Sequence, residues 1–356
     1  MTAFLILIIL ALLGVTVWQL TKIFKLSRKE GPQAPAGIND DRDNRIQGWI
    51  MLIFGIAFFG FMIHNFWNYS SFYPPKAASS EGVQLDRLMF TTIIIIVIVQ
   101  IIMQALLFYF SYKFHGRKGQ IAKFYPEDEK LEFAWTIIPV IVLAALIVYG
   151  LFTWSDIMNV SEDDEDIMVV ELYAYQFGWK VRYSGEDNTL GKASVKFIEG
   201  INALGVDESD PYADDDIVAS EMHLPKGKKV LFKMRSQDVI HSAYFPLFRA
   251  QMNVVPGMVT QFAFTPTINT EDMRKTDYMR KKVSHINKLR KERSEALIAK
   301  GDEALDDYDF DYFLLCNKVC GTSHYNMQMK VVVEDEEDFE EWLSQQQTFG
   351  EQMNNS

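Results

Sequence analysis

Long apolar runs fill the first 155 residues, and short runs of alternating apolar and polar residues fill most of the remaining chain. Four of the long runs suffice to cross a bilayer, which takes about 20 helical residues each. They cover 2–24, 47–67, 89–112 and 134–155. The first lacks a basic leading segment and a small-residue cleavage site, so it reads as a retained span rather than a cleaved signal peptide. Lys22, Lys25, Arg28 and Lys29 follow it, and Lys113, Arg117, Lys118 and Lys123 separate the third run from the fourth. The 68–88 segment is poor in both residue types. The positive-inside rule therefore places 25–46 and 113–131 in the cytoplasm, and the N-terminus, 68–88 and everything after 156 outside. Trp67, Trp135 and Trp154 sit near run ends, as interfacial aromatics do.

Beyond 156 the alternation has period two over 167–183, 228–235, 258–265, 309–315 and 328–334, which are rich in Val, Phe and Tyr. No long amphipathic helix separates the first three, so an antiparallel sandwich or barrel is expected. Residues 186–222 read as a long loop rich in Gly, Asp and Ser. In 270–306, Met279, Val283, Ile286, Leu289 and Leu297 fall near helical spacing among many charges. This predicts a charged helical insertion, either solvated or presenting a docking face to a neighbouring subunit.

Length suggests roughly two domains. They are a helical membrane region over 1–155 and an external domain over 156–335, followed by an acidic, polar tail over 336–356 with no functional signal. The chain carries 47 Asp and Glu against 35 Lys and Arg, a net charge of -12. That excludes nucleic acid as a partner, since phosphates need a basic face, and suits a basic protein partner.

Both cysteines lie in one stretch, CNKVCGTSHYNM at 316–327. An external disulfide is the ordinary alternative. Two thiols, an imidazole and a thioether within twelve residues instead form a soft donor set of the kind that selects copper. One more histidine would complete such a site. His64 and His115 sit at membrane edges, His285 lies in the charged insertion, and His223 reads as a surface residue. His241, in SQDVIHSAYFP, opens a turn after the 228–235 run and is the best placed.

SQDVIHSAYFP followed by NVVPGM and CNKVCGTSHYNM resembles the copper domain of cytochrome c oxidase subunit II, whose pattern is DVxHS and then C-x3-C-x3-H-x2-M. LEFAWTIIP at 131–139 is similar to the start of that family's second hairpin helix. The resemblance runs from about 88 to 335 and leaves out the first two spans and the 270–306 insertion. It implies a transmembrane helical anchor, with four spans here, followed by a cupredoxin-like Greek-key β-barrel. It also implies a dinuclear centre of two copper ions. Cys316 and Cys320 would bridge them, His241 and His324 would each cap one, and Met327 would be a weak axial ligand sharing the copper of His241. Lys318 would contribute its backbone carbonyl. Asp238, three residues before His241, would orient an imidazole or simply form the turn.

The family also implies function. The chain would take electrons from cytochrome c, or from a tethered cytochrome domain of a partner complex, and pass them to haem in subunit I, where oxygen is reduced with proton pumping. Other oxidase subunits and the lipid bilayer are the further partners. The membrane would be a bacterial-type inner membrane with the copper domain on the periplasmic side. Glu132 matches the acid at the mouth of a proton path into subunit I, or is an interfacial acid at a helix N-terminus. Two departures stand out. The family usually has Glu or Gln where Lys318 stands, and that Glu binds Mg²⁺; an ammonium does not, so magnesium is doubtful here. The family's Q-W-x-W run is Gln176-Phe177-Gly178-Trp179, so electron input is expected through Phe177, Tyr175 or Trp179, unless these aromatics are simply barrel core. The rival readings are a quinol oxidase subunit, which would lack the ligand set, a membrane-tethered copper chaperone or metal sensor, and a structural protein with a plain disulfide.

Overall fold

The computed structural model describes residues 13–21, 41–69, 75–121, 123, 125–161, 164 and 166–354. Three described helices are long and apolar enough to cross a membrane: α1 (Asp41–Tyr69), α2 (Ser80–Lys113) and α3 (Glu129–Met158). Each extends past the apolar run that announced it. Of the run at 2–24, residues 13–21 are helical, and the rest lies outside the described residues.

The chain divides into two compact units. In the one built on α1 and the second half of α2, the helices approach closely at Gly55, where an added Cβ would stand 2.6 Å from the Phe108 ring. Trp49 meets Tyr112 edge-on at 4.7 Å, and the Lys118 N–H donates to Asp41 Oδ1 at 2.6 Å.

The other unit holds the first half of α2, α3 and ten strands. The strands are β1 (Ile167–Tyr175), β2 (Gly178–Tyr183), β3 (Ile217–Ala219), β4 (Met222–Pro225), β5 (Lys229–Ser236), β6 (His241–Phe245), β7 (Ala250–Val254), β8 (Thr260–Phe264), β9 (Tyr312–Cys316) and β10 (Gln328–Glu334). They form two five-stranded sheets, ordered β3-β2-β1-β5-β8 and β4-β10-β9-β6-β7. The expectation of a wholly antiparallel arrangement is corrected. β1 runs parallel to β5, and β4 parallel to β10, because their connections cross over instead of turning back. The expected loop at 186–222 likewise contains β3, which pairs with β2.

Alternation sends Val170, Leu172 and Ala174 into the space between the sheets, with Phe232, Phe245, Phe264 and Tyr312. At the helix end the barrel grips the start of α2. Ser79 Oγ donates to the Phe248 carbonyl (2.6 Å), Glu81 accepts from the Thr265 N–H (2.8 Å), and Arg249 Nε donates to Asp86 (2.9 Å). The insertion forms α4 (Thr270–Lys275) and α5 (Asp277–Ile298), capped by the Asn269 and Thr276 side chains. Met273 and Met279 enter the main core, while Leu289 and Ile298 remain exposed. Residues read as a polar tail form α6 (Glu336–Ser344) and α7 (Phe349–Asn354), which bury Phe339 and Phe349. The sequence signal was masked by the acids around Phe339 and by the Gln-rich stretch around Phe349.

The opposite face of the first sheet carries Glu171, Arg182 and Arg235 and is also buried. Arg182 donates to Glu171 (2.7 Å) and to Asp216 (2.7 Å), and Arg235 donates to the other Glu171 oxygen. Burial raises the Glu171 carboxyl, but the two guanidiniums outweigh it and hold it below its ordinary value. Among the described residues, Asp216 has only Arg182 as its ion-pair partner, and its Oδ1 has no hydrogen bond. Burial pushes it up to about 7. A carboxyl that holds its proton more tightly folded than unfolded stabilises the fold fully below about pH 4, and that contribution is lost as pH rises to about 7. Melting temperature is therefore expected to fall between about pH 4 and 7, and Asp216→Asn is expected to flatten that slope.

Candidate metal centre

Strand register gathers the ligand candidates at one end of the barrel. β6 starts at His241, and β9 ends at Cys316 opposite Ala243. β10 starts at Gln328 opposite Leu315, so the 317–327 loop is held at both ends. The parallel pairing of β1 with β5 ends at Ala174 opposite Ser236, which sets Gln176 beside the loop leading to His241.

Within this end, Cys316 Sγ lies 3.9 Å from Cys320 Sγ and 3.9 Å from His241 Nδ1. Cys320 Sγ lies 3.6 Å from His324 Nδ1 and 3.7 Å from Met327 Sδ. The Lys318 carbonyl stands 3.2 Å from Cys316 Sγ, while the Lys318 side chain is exposed. Both cysteines are free thiols, and His241, Cys320 and Met327 are buried. All six expected donors thus converge. His241, Cys316 and Cys320 form the cluster able to hold a metal ion among the described residues.

The donors fit copper. Two thiols, two imidazole nitrogens, a thioether and a carbonyl form a soft set, and no carboxylate is among them. His241 Nε2 is taken by Asp238 Oδ1 (2.8 Å), so the ring is fixed with Nδ1 facing the sulfurs. Burial raises Asp238, yet the hydrogen bonds from His241, the Gln176 N–H and the Val239 N–H together hold it below the usual carboxylate range. Burial and the neighbouring Cys316 push the Cys320 thiol up to about 11, so at neutral pH a metal must displace its proton to bind.

Residues 67–152 match the family described as cytochrome c oxidase subunit II, transmembrane domain. The alternative cytochrome c oxidase subunit 2 of Bradyrhizobium diazoefficiens is 34% identical over 68% of this chain and 72% of its own length.

This chain belongs to the cytochrome c oxidase subunit II family.

The cytochrome c oxidase subunit 2 of Cereibacter sphaeroides is 25% identical over 76% of this chain and 78% of that protein. A solved periplasmic domain of subunit II of cytochrome oxidase from Bradyrhizobium japonicum overlays at TM-score 0.28 and 17% identity, covering 50% of this chain and 91% of that one. The fold of this subunit II chain, apolar helices followed by a cupredoxin-like barrel, rests on its own strand order rather than on this overlay.

The remaining candidates fall in distinct places on this subunit II chain. Trp179 is only 4% exposed and meets the His241 ring edge-on at 6.1 Å. Phe177 is half-buried against Gly321 of the cysteine loop, where an added Cβ would stand 2.8 Å from its ring. Glu132 is exposed in the first turn of α3, next to the Asp128 cap. His223, expected at the surface, is buried. It stacks on Trp342 at 3.9 Å and contacts Glu334 at 3.0 Å, because α6 folds over it. His285 is exposed on α5, and His115 contacts the Tyr112 carbonyl. Sequence reasoning missed one contributor, Gln176. Its signal was its place beside Phe177 in the aromatic run, where only the rings drew attention.

Proposed function

We propose that this chain is the electron-accepting subunit of a respiratory haem–copper oxidase. It takes electrons from a cytochrome c-type donor on the periplasmic side of a bacterial-type inner membrane and passes them to haem in subunit I. The convergence of His241, Cys316, Cys320, His324 and Met327 at one barrel end carries this reading. These side chains and the Lys318 carbonyl would hold two copper ions, which when bound supply one-electron redox chemistry. The chain's own part is to fix the donors on strand ends and exclude water, which limits reorganisation.

Electron input is assigned to the Phe177–Trp179 edge. Phe177 sits at the surface of the cysteine loop, and Trp179 lies behind it against His241. Glu132 is assigned to the cytoplasmic start of a proton path. Magnesium is not assigned, because the exposed Lys318 ammonium offers no oxygen donor.

The test is donor choice by the purified oxidase complex. The proposal expects oxygen consumption with a reduced c-type cytochrome and none with a quinol. Quinol-driven consumption without cytochrome oxidation would overturn it.

A further inference from the structure

Two separate loops carry the donors, and the barrel must hold them in register. The 236–241 loop brings His241, and the 316–327 loop brings the rest. Gln176, just past the end of β1, touches both. Its backbone N–H donates to Asp238 Oδ2 at 2.7 Å, and the other Asp238 oxygen contacts His241 Nε2 at 2.8 Å. Its side-chain amide donates to the backbone carbonyl of Cys320. The chain presses close here. Gly321 has φ +144°, and a Cβ on it would stand 2.9 Å from Gln176 Nε2.

We propose that Gln176 is a positioning residue for the metal centre, a clamp that joins the His241 loop to the cysteine loop. The backbone half of the clamp fixes the imidazole through Asp238. The side-chain half fixes the Cys320 peptide, and with it the sulfur that lies nearest His324 and Met327. This inference rests on the copper reading. Gln176 is exposed, so shortening it opens no core cavity. Alanine keeps the backbone half and removes only the bond to Cys320. Glutamate keeps the length but sets an acceptor against an acceptor.

The test uses the assembled oxidase with Gln176→Ala and Gln176→Glu. Three readouts are taken: copper loss to a chelator, the low-temperature EPR signal, and thermal unfolding of the copper-free protein. Both variants are expected to lose copper about tenfold faster and to show altered hyperfine splitting, with unfolding unchanged. Wild-type rates and spectra in both variants would overturn the clamp while leaving the copper reading intact. Lowered thermal stability with an unaltered copper signal would also overturn it, since that is a purely structural role. If the wild-type complex bound no copper, the underlying reading would fail instead.

Discussion

Replacing Cys320 with serine is expected to abolish copper binding and to lower oxidation of a c-type cytochrome by at least ~100-fold. The reason is position. Cys320 Sγ faces Cys316 Sγ, His324 Nδ1 and Met327 Sδ, all within 3.9 Å, so it is the hub of the donor set. A serine hydroxyl is harder than a thiolate and stays protonated at neutral pH, so both the affinity for a soft ion and the bridging geometry are lost. Losing even a supporting partner of a ligand typically costs about 10–100-fold, and a ligand itself costs more. Thermal unfolding of the copper-free chain should move little, because the exchange is nearly isosteric. Copper analysis and turnover of the purified complex check this. Full copper content in Cys320→Ser would contradict it.

Arg182→Ala is expected to destabilise the barrel by about 3–5 kcal/mol, the usual cost of removing one partner from a buried charge network. Arg182 is among the largest fully buried side chains, and it serves both Glu171 and Asp216. Without it Glu171 keeps Arg235, but Asp216 keeps no cation. For a domain of this size the loss corresponds to a drop of about 10 °C in melting temperature. Replacing a surface pair such as Arg280 and Asp277 should change it by less than about 1 kcal/mol. Differential scanning calorimetry of the two variants separates the cases. A shift of equal size in both would show that the buried network is not what matters.

The sequence exposed the candidate metal centre more clearly than the frame around it. The proposed ligands fall mostly in one twelve-residue stretch, and their chemistry is written in their side chains. Only His241 had to be placed by its position after a strand. The apolar runs of α1, α2 and α3 were legible because about 20 apolar residues in a row have few other uses. Their ends were not, since α2 leaves the apolar run and continues as a polar helix bound to the barrel at Glu81 and Asp86. β6 was missed because HSAYF hardly alternates; β7 alternates, but AQMNV holds a single β-branched residue and no aromatic ring. The parallel pairing of β1 with β5 depends on residues far apart in the chain, which periodicity does not register. The buried Arg182 network was hidden for the same reason, because its members look like surface charges until 186–216 folds over them. The two halves of the Gln176 clamp are likewise separated by 62 and 144 positions.

The most direct measurement is copper stoichiometry with low-temperature EPR on the purified chain in its oxidase complex. Two coppers per chain and a seven-line hyperfine pattern, one electron shared by two equivalent nuclei, are expected. One copper with a four-line pattern, or no copper with Cys316 and Cys320 joined in a disulfide, would contradict the account.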